Sequence, residues 1–118
     1  MATTLRGDDN FDSASPIPAG NFTAKAWVNF NGTGTPAIRA SGNVSSITDV
    51  STGEYYANFS SAISDADYCI SATTYLAGSA TPAPFALASS TAQARLWVRA
   101  SSTNVGYDTG WYNLHVTR

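Results

Sequence analysis

The sequence predicts an all-β fold: an antiparallel β-sandwich, jelly-roll-like or immunoglobulin-like, with an extended N-terminal arm. Three observations carry that expectation. From Lys25 onward apolar residues recur with a period of two, the spacing that turns one face of a strand into a core. Turn-forming clusters interrupt the alternation at Asn31-Gly32-Thr33-Gly34, Gly42-Asn43 and Thr52-Gly53. No segment keeps a convincing 3.6-residue period. At 118 residues the chain fits one domain around one core.

Residues 1–23 read as the arm. Asp8, Asp9, Asn10, Asp12 and Ser13 favour turns, Pro16 and Pro18 interrupt regular pairing, and Leu5, Phe11 and Ile17 are the large apolar anchors. The sandwich occupies residues 24–118. Ala24–Phe30 alternates Ala26, Val28 and Phe30 against Lys25, Trp27 and Asn29. Ala37–Ser41 and Val44–Asp49 are short strands parted by Gly42-Asn43, and Glu54–Ser61 places Tyr55, Ala57 and Phe59 on one face. Ala66–Thr74 is the next strand. Its Cys69, between Tyr68 and Ile70, is expected to be a small buried hydrophobe.

Gly78–Ser90 looks like a looser stretch, because it contains Pro82 and Pro84. Within it, Ala83–Ala92 has the alanine content for a turn of helix, opposed by Pro84 and the Ser-Ser-Thr cluster. Ala92–Ser101 is the clearest strand, and Trp111–Thr117 closes the chain as a neighbour of the first. The expectation is about seven strands.

The faces opposite the core are the informative ones. In Ala92–Ala100 the aliphatic set is Ala94, Leu96, Val98 and Ala100, and the other side carries Gln93, Arg95, Trp97 and Arg99. Trp27 and Trp111 likewise lie opposite the more aliphatic residues of their strands. Trp and Arg are enriched at the centres of interfaces. Trp27, Arg95, Trp97, Arg99 and Trp111 are therefore the candidate residues, with three readings open. They pack against copies of the same chain, they form a platform on which sugars stack, or they have no such role, being covered by the arm and the 78–90 stretch or simply scattered on the surface.

Composition narrows the classes of function. Charged residues make up 12% of the chain, with six Lys and Arg, eight Asp and Glu and a formal net charge of −2. That gives no basic footprint for a phosphate backbone, so nucleic-acid binding is not expected. The chain has no long apolar run for membrane insertion, and its first residues lack the pattern of a signal peptide. One cysteine excludes an intrachain disulfide.

Catalytic and metal-binding chemistry has little to rest on in this chain. The single histidine, His115, alternates with Leu114 and Val116 and reads as a sheet-face residue. No spacing of zinc ligands, phosphate loop or nucleophile motif is present. The carboxylate pairs Asp65/Asp67 and Asp49/Glu54 sit at turn-to-strand boundaries, where solvated acids are ordinary. Asp8-Asp9-Asn10 and Asp12 lack the full calcium-loop pattern. No catalytic residue, cofactor or metal is expected.

The run Ala26-Trp27-Val28-Asn29-Phe30-Asn31-Gly32-Thr33-Gly34, then Ala37-Ile38-Arg39, then Asn43-Val44-Ser45-Ser46-Ile47-Thr48-Asp49, resembles a β-rich module of tailed-bacteriophage virion proteins. Gly53-Glu54-Tyr55-Tyr56-Ala57-Asn58-Phe59 and Asp65-Ala66-Asp67-Tyr68 continue the pattern. The module is familiar from the distal parts of tail-fibre-like proteins of aquatic and cyanobacterial phages, and the likeness covers Ala24 to Ile70 most closely.

The resemblance implies a non-enzymatic structural protein, working as a homotrimer alongside other phage virion proteins and contacting host-surface polysaccharide. It implies a protein made in the host cytoplasm and located on the particle. It transfers no binding residue by position. Such modules usually end longer chains, whereas only a short arm precedes this one. Two alternatives therefore stand beside the tail-fibre reading: a capsid decoration (cement) protein on the phage head, and a stand-alone carbohydrate-binding module.

Overall fold

In the computed structural model, residues 24–75, 82–101 and 103–118 are described. The arm at 1–23, with its anchors Leu5, Phe11 and Ile17, lies outside them. Eight strands follow in order: β1 (Ala24–Asn31), β2 (Ala37–Gly42), β3 (Val44–Ser51), β4 (Glu54–Phe59), β5 (Cys69–Tyr75), β6 (Pro82–Ala88), β7 (Gln93–Ala100) and β8 (Trp111–Thr117). They form two antiparallel four-stranded sheets. Sheet A has the order β2-β1-β8-β5, and sheet B the order β3-β4-β7-β6. The expected sandwich is what forms, with first and last strands paired.

The alternation read from sequence builds the core directly. Ala26, Val28 and Phe30 of β1 and Tyr112, Leu114 and Val116 of β8 face inward from sheet A. Tyr55, Ala57 and Phe59 of β4 and Ala94, Leu96 and Val98 of β7 face inward from sheet B. The central strands of each sheet thus supply most of the interior, and each buried large side chain contributes about 1.5–3 kcal/mol.

At one end of the sandwich the Phe30, Tyr55 and Tyr112 rings form a triangle. Phe30 stacks on Tyr112 at 4.8 Å, and Tyr55 meets both edge-on at 5.3 and 5.1 Å. The phenols need partners when buried. Tyr55 Oη lies 2.6 Å from Asp108 Oδ1 and 2.8 Å from the Gly32 carbonyl, and Tyr112 donates to the Tyr107 carbonyl. Burial, reinforced by the hydrogen bond to Asp108, pushes the Tyr55 phenol far above its ordinary range. These bonds fasten the β1–β2 and β7–β8 connections to the core. Gly53 completes the end: at φ +74° its N–H donates to Asp108 Oδ1, and an added Cβ would meet the Val98 and Tyr107 backbone at 2.6 Å.

Between β2 of sheet A and β3 of sheet B the link is a single residue, Asn43, held in the left-handed region at φ 55°. Its side-chain amide donates to the carbonyls of Lys25 and Ser61 and accepts from the Ser61 N–H. Asn tolerates that conformation better than most residues because its short amide hydrogen-bonds locally.

Four expectations are corrected. The stretch containing Pro82 and Pro84 is neither loose nor helical but a strand, β6. It lies at the edge of sheet B, pairing only with β7, and an edge strand tolerates prolines because one row of its amides has no ladder partner. Eight strands form among the described residues where about seven were expected.

Cys69 is exposed rather than buried. The core residue there is Tyr68, whose hydroxyl donates toward the carbonyls of Ser90 and Gln93, so alternation turns the next side chain outward. The strand expected from Ala66 begins only at Cys69, because residues 60–68 form a bend that inserts Ile63 and Tyr68 into the core. Within that bend Asp65 accepts the Asp67 N–H and pairs with Arg118, so the two acids do not share a strand face.

Candidate functional site

The five candidate residues all point away from the core, but they do not form one surface. Trp27 and Trp111 stand on the outer face of sheet A. Arg95, Trp97 and Arg99 stand on the outer face of sheet B, on the opposite side of the sandwich. The shared pattern in sequence therefore resolves into two surfaces of different chemistry.

On sheet B the register sets Phe85 of β6 beside Trp97 of β7, and Leu87 beside Arg95. The Phe85 and Trp97 rings stack with centroids 5.7 Å apart and planes at 22°. Phe85 is 46% exposed and Leu87 40%. Together the three make a continuous apolar strip. The arginines beside it are already engaged: Arg95 pairs with Glu54 and sits over the Trp97 ring at 4.8 Å, and Arg99 donates to the Asn104 carbonyl. Arg95 thus positions the indole as much as it presents charge.

Sheet A carries a different arrangement. Asn29 of β1 faces Asn113 of β8, which faces Thr73 of β5. Their side chains are bonded in series, Asn29 Nδ2 to Asn113 Oδ1 and Asn113 Nδ2 to Thr73 Oγ1. Arg39 of β2 joins the series at Asn29 Oδ1, 3.4 Å away. A polar ladder thereby crosses all four strands. One indole flanks it on each side.

Trp111, 48% exposed, lies in register with the exposed Tyr75 and beneath the Arg39 guanidinium, 3.9 Å from the ring centroid. Arg39 also donates to the Gly110 carbonyl at 2.6 Å. The Trp111 carbonyl accepts from Thr74 and Thr109. Trp27, 41% exposed, lies in register with His115 on one side and Gly42 on the other. Its indole rests against Gly42, where an added Cβ would fall 2.3 Å from Nε1. Because Trp111 is four residues along β8 from His115, the two indoles stand about 13 Å apart along the strands.

Beside the ladder the outward side chains Cys69, Ser71 and Thr73 of β5 are small, and the β5–β8 seam is correspondingly hollow. One depression of about 250 Å³ is lined by Cys69, Ile70, Ser71, His115 and Thr117. A second, of about 80 Å³, adjoins it at Ser71, Thr73, Asn113 and His115. Among the described residues no group of three or more His, Cys, Asp or Glu is placed to hold a metal ion, and no helix is long and apolar enough to cross a membrane.

Comparison with protein-family models, with curated proteins and with solved structures found no match in any of the three. The faces must be read from their own chemistry.

Several residues of that chemistry went unread in the sequence. Phe85 and Leu87 were hidden by the prolines around them, although they alternate with Pro84 and Ala86 as strand residues do. Arg39, Asn29 and Asn113 are isolated polar residues in three separate strands, and only the register brings them into line. Two of the carboxylate candidates form ion pairs. Glu54 pairs with Arg95, and Asp65 is held by Arg118 through two hydrogen bonds.

Proposed function

We propose that this chain is a non-catalytic structural and attachment module of a bacteriophage particle, working as a homotrimer in a tail-fibre-like assembly. The observation that carries the reading is the Phe85–Trp97–Leu87 strip on the outer face of sheet B. Single exposed apolar residues are ordinary, but adjacent ones on a flat sheet favour burial against another surface. Stacked aromatics with an arginine laid over them, its charge paired by Glu54, match the aromatic and Arg enrichment of interface centres. The sequence resemblance over Ala24–Ile70 supplies the virion context, with other virion proteins as neighbours and host-surface polysaccharide as the attachment target.

The test is solution mass by light scattering on a sizing column. The chain is expected at three times its 12.3 kDa monomer mass, and Phe85→Ser or Trp97→Ala at the monomer mass. A wild-type chain that remains monomeric when concentrated rejects the trimer. A second reading, a stand-alone carbohydrate-binding module, is favoured by the ring-and-amide face of sheet A. It differs in expecting a monomer that binds sugar.

A further inference from the structure

We propose that the outer face of sheet A is a glycan-binding platform, seating pyranose rings on Trp27 and Trp111 and hydrogen-bonding their hydroxyls along the Asn29–Asn113–Thr73 ladder. The inference rests on the attachment part of the function proposed above and is independent of trimer formation.

A pyranose presents two kinds of surface. Its C–H face carries partial positive charge and suits the negative face of an indole, while its rim carries hydroxyls that need donors and acceptors nearby. The face of sheet A offers both at once. Two half-exposed indoles and the exposed Tyr75 supply flat rings. Between them Asn29, Asn113 and Thr73 supply amides and a hydroxyl, and the hollow seam beside them is lined by Ser71 and His115.

The rings are also held in place. Trp27 rests on Gly42, and Arg39 holds one face of the Trp111 ring so that a sugar would stack on the opposite face, which lowers the ordering cost of binding. The indoles, about 13 Å apart along the strands, are too far from each other to hold one sugar between them. The ligand is therefore a chain of several residues laid along β8. Strands β1, β2, β5 and β8 contain no Asp or Glu, and they carry Lys25 and Arg39. That charge admits neutral and acidic polysaccharides and disfavours cationic ones.

This separates the two faces. On sheet B the apolar side chains touch and would be covered by protein; on sheet A they are spaced apart by hydrogen-bonding groups, which suits a hydroxylated ligand.

The experiment is retention of the full chain on an array of glucans, galactans, mannans and uronic-acid polymers, with solution mass recorded for every variant. Wild type is expected to bind at least one polymer. Trp27→Ala and Trp111→Ala should each weaken that binding about tenfold, the worth of one stacked ring, with mass unchanged and the fold retained. Gly42→Ala, which displaces the Trp27 ring without removing it, should weaken it as well. Val50→Ser, an exposed change on edge strand β3, should bind as wild type. The proposal is overturned by retention on no polymer, by binding that survives both tryptophan substitutions, or by a loss that tracks a change in mass. A trimer without glycan binding would remove this site and leave self-association standing; a glycan-binding monomer would do the reverse.

Discussion

Tyr55 shows how much one hydroxyl organises here. The ring is fully buried against Phe30 and Tyr112, while its oxygen lies within hydrogen-bond distance of both the Gly32 carbonyl and the Asp108 carboxylate. Tyr55→Phe keeps the ring packing and leaves both acceptors without this donor in a place water reaches poorly. The expected loss is roughly 1–3 kcal/mol, measured by urea unfolding. A cost near zero would mean that the ring alone closes this end. The sequence showed Tyr55 as an inward residue of its strand, but its partners stand 23 and 53 positions away. Residue-scale roles of this kind depend on which loops fold back together. Cys69 makes the same point in reverse: an apolar neighbourhood in sequence gave it a core role, and the phase of one strand turned it outward.

At the scale of elements, the corner and the edges decide the architecture. Asn43 alone links β2 of sheet A to β3 of sheet B, combining a left-handed backbone with three side-chain hydrogen bonds. Asn43→Ala removes those bonds and leaves a Cβ-bearing residue in a strained conformation. It is expected to destabilise by about 2 kcal/mol or more, read as a lower denaturation midpoint with unchanged slope. Asn43→Gly should recover part of the loss by relieving the backbone. Equal losses for Ala and Gly would assign the whole effect to the side-chain bonds.

Strands with clean alternation were legible because both central strands of each sheet bury every second residue. Edge strands obey weaker rules. β2 is exposed along almost its whole length, and its Gly42-Asn43 boundary revealed it better than its pattern did. β6 escaped notice because prolines argue against a strand in general, and only its place at an edge removes the objection.

For the whole molecule, sparse charge leaves few groups to set the acid limb of stability. Asp65 is one of them: its hydrogen bonds to Arg118 and to the Asp67 N–H hold it at about 2, below its ordinary 3.8. A depressed carboxylate stabilises the fold above its unfolded value, and the contribution disappears as pH falls through the folded one. Wild type should therefore lose melting temperature between about pH 4 and pH 2. Asp65→Asn should start lower above pH 4 and converge with wild type near pH 2. The difference will be modest, because the pair is exposed and screened. Parallel curves for the two proteins would show that Asp65 does not contribute to that limb.

The two outer faces belong to this scale too. Substitutions on opposite sides of the sandwich share no partners, so their effects on mass and on glycan retention are expected to be separable.

The sequence by itself determined the fold class, the inward half of each central strand and the fact that three tryptophans face away from the core. It could do so because side-chain direction in a strand is fixed locally, by a period of two. Only the tertiary structure decided that Trp27 and Trp111 share one surface while Trp97 lies on the other. It also decided that a cationic side chain and two amides line up with a threonine across four strands, and that an outlying Pro-rich segment completes an apolar strip. Strand order and register are set by how the whole core closes, and no local pattern in the chain carries that information.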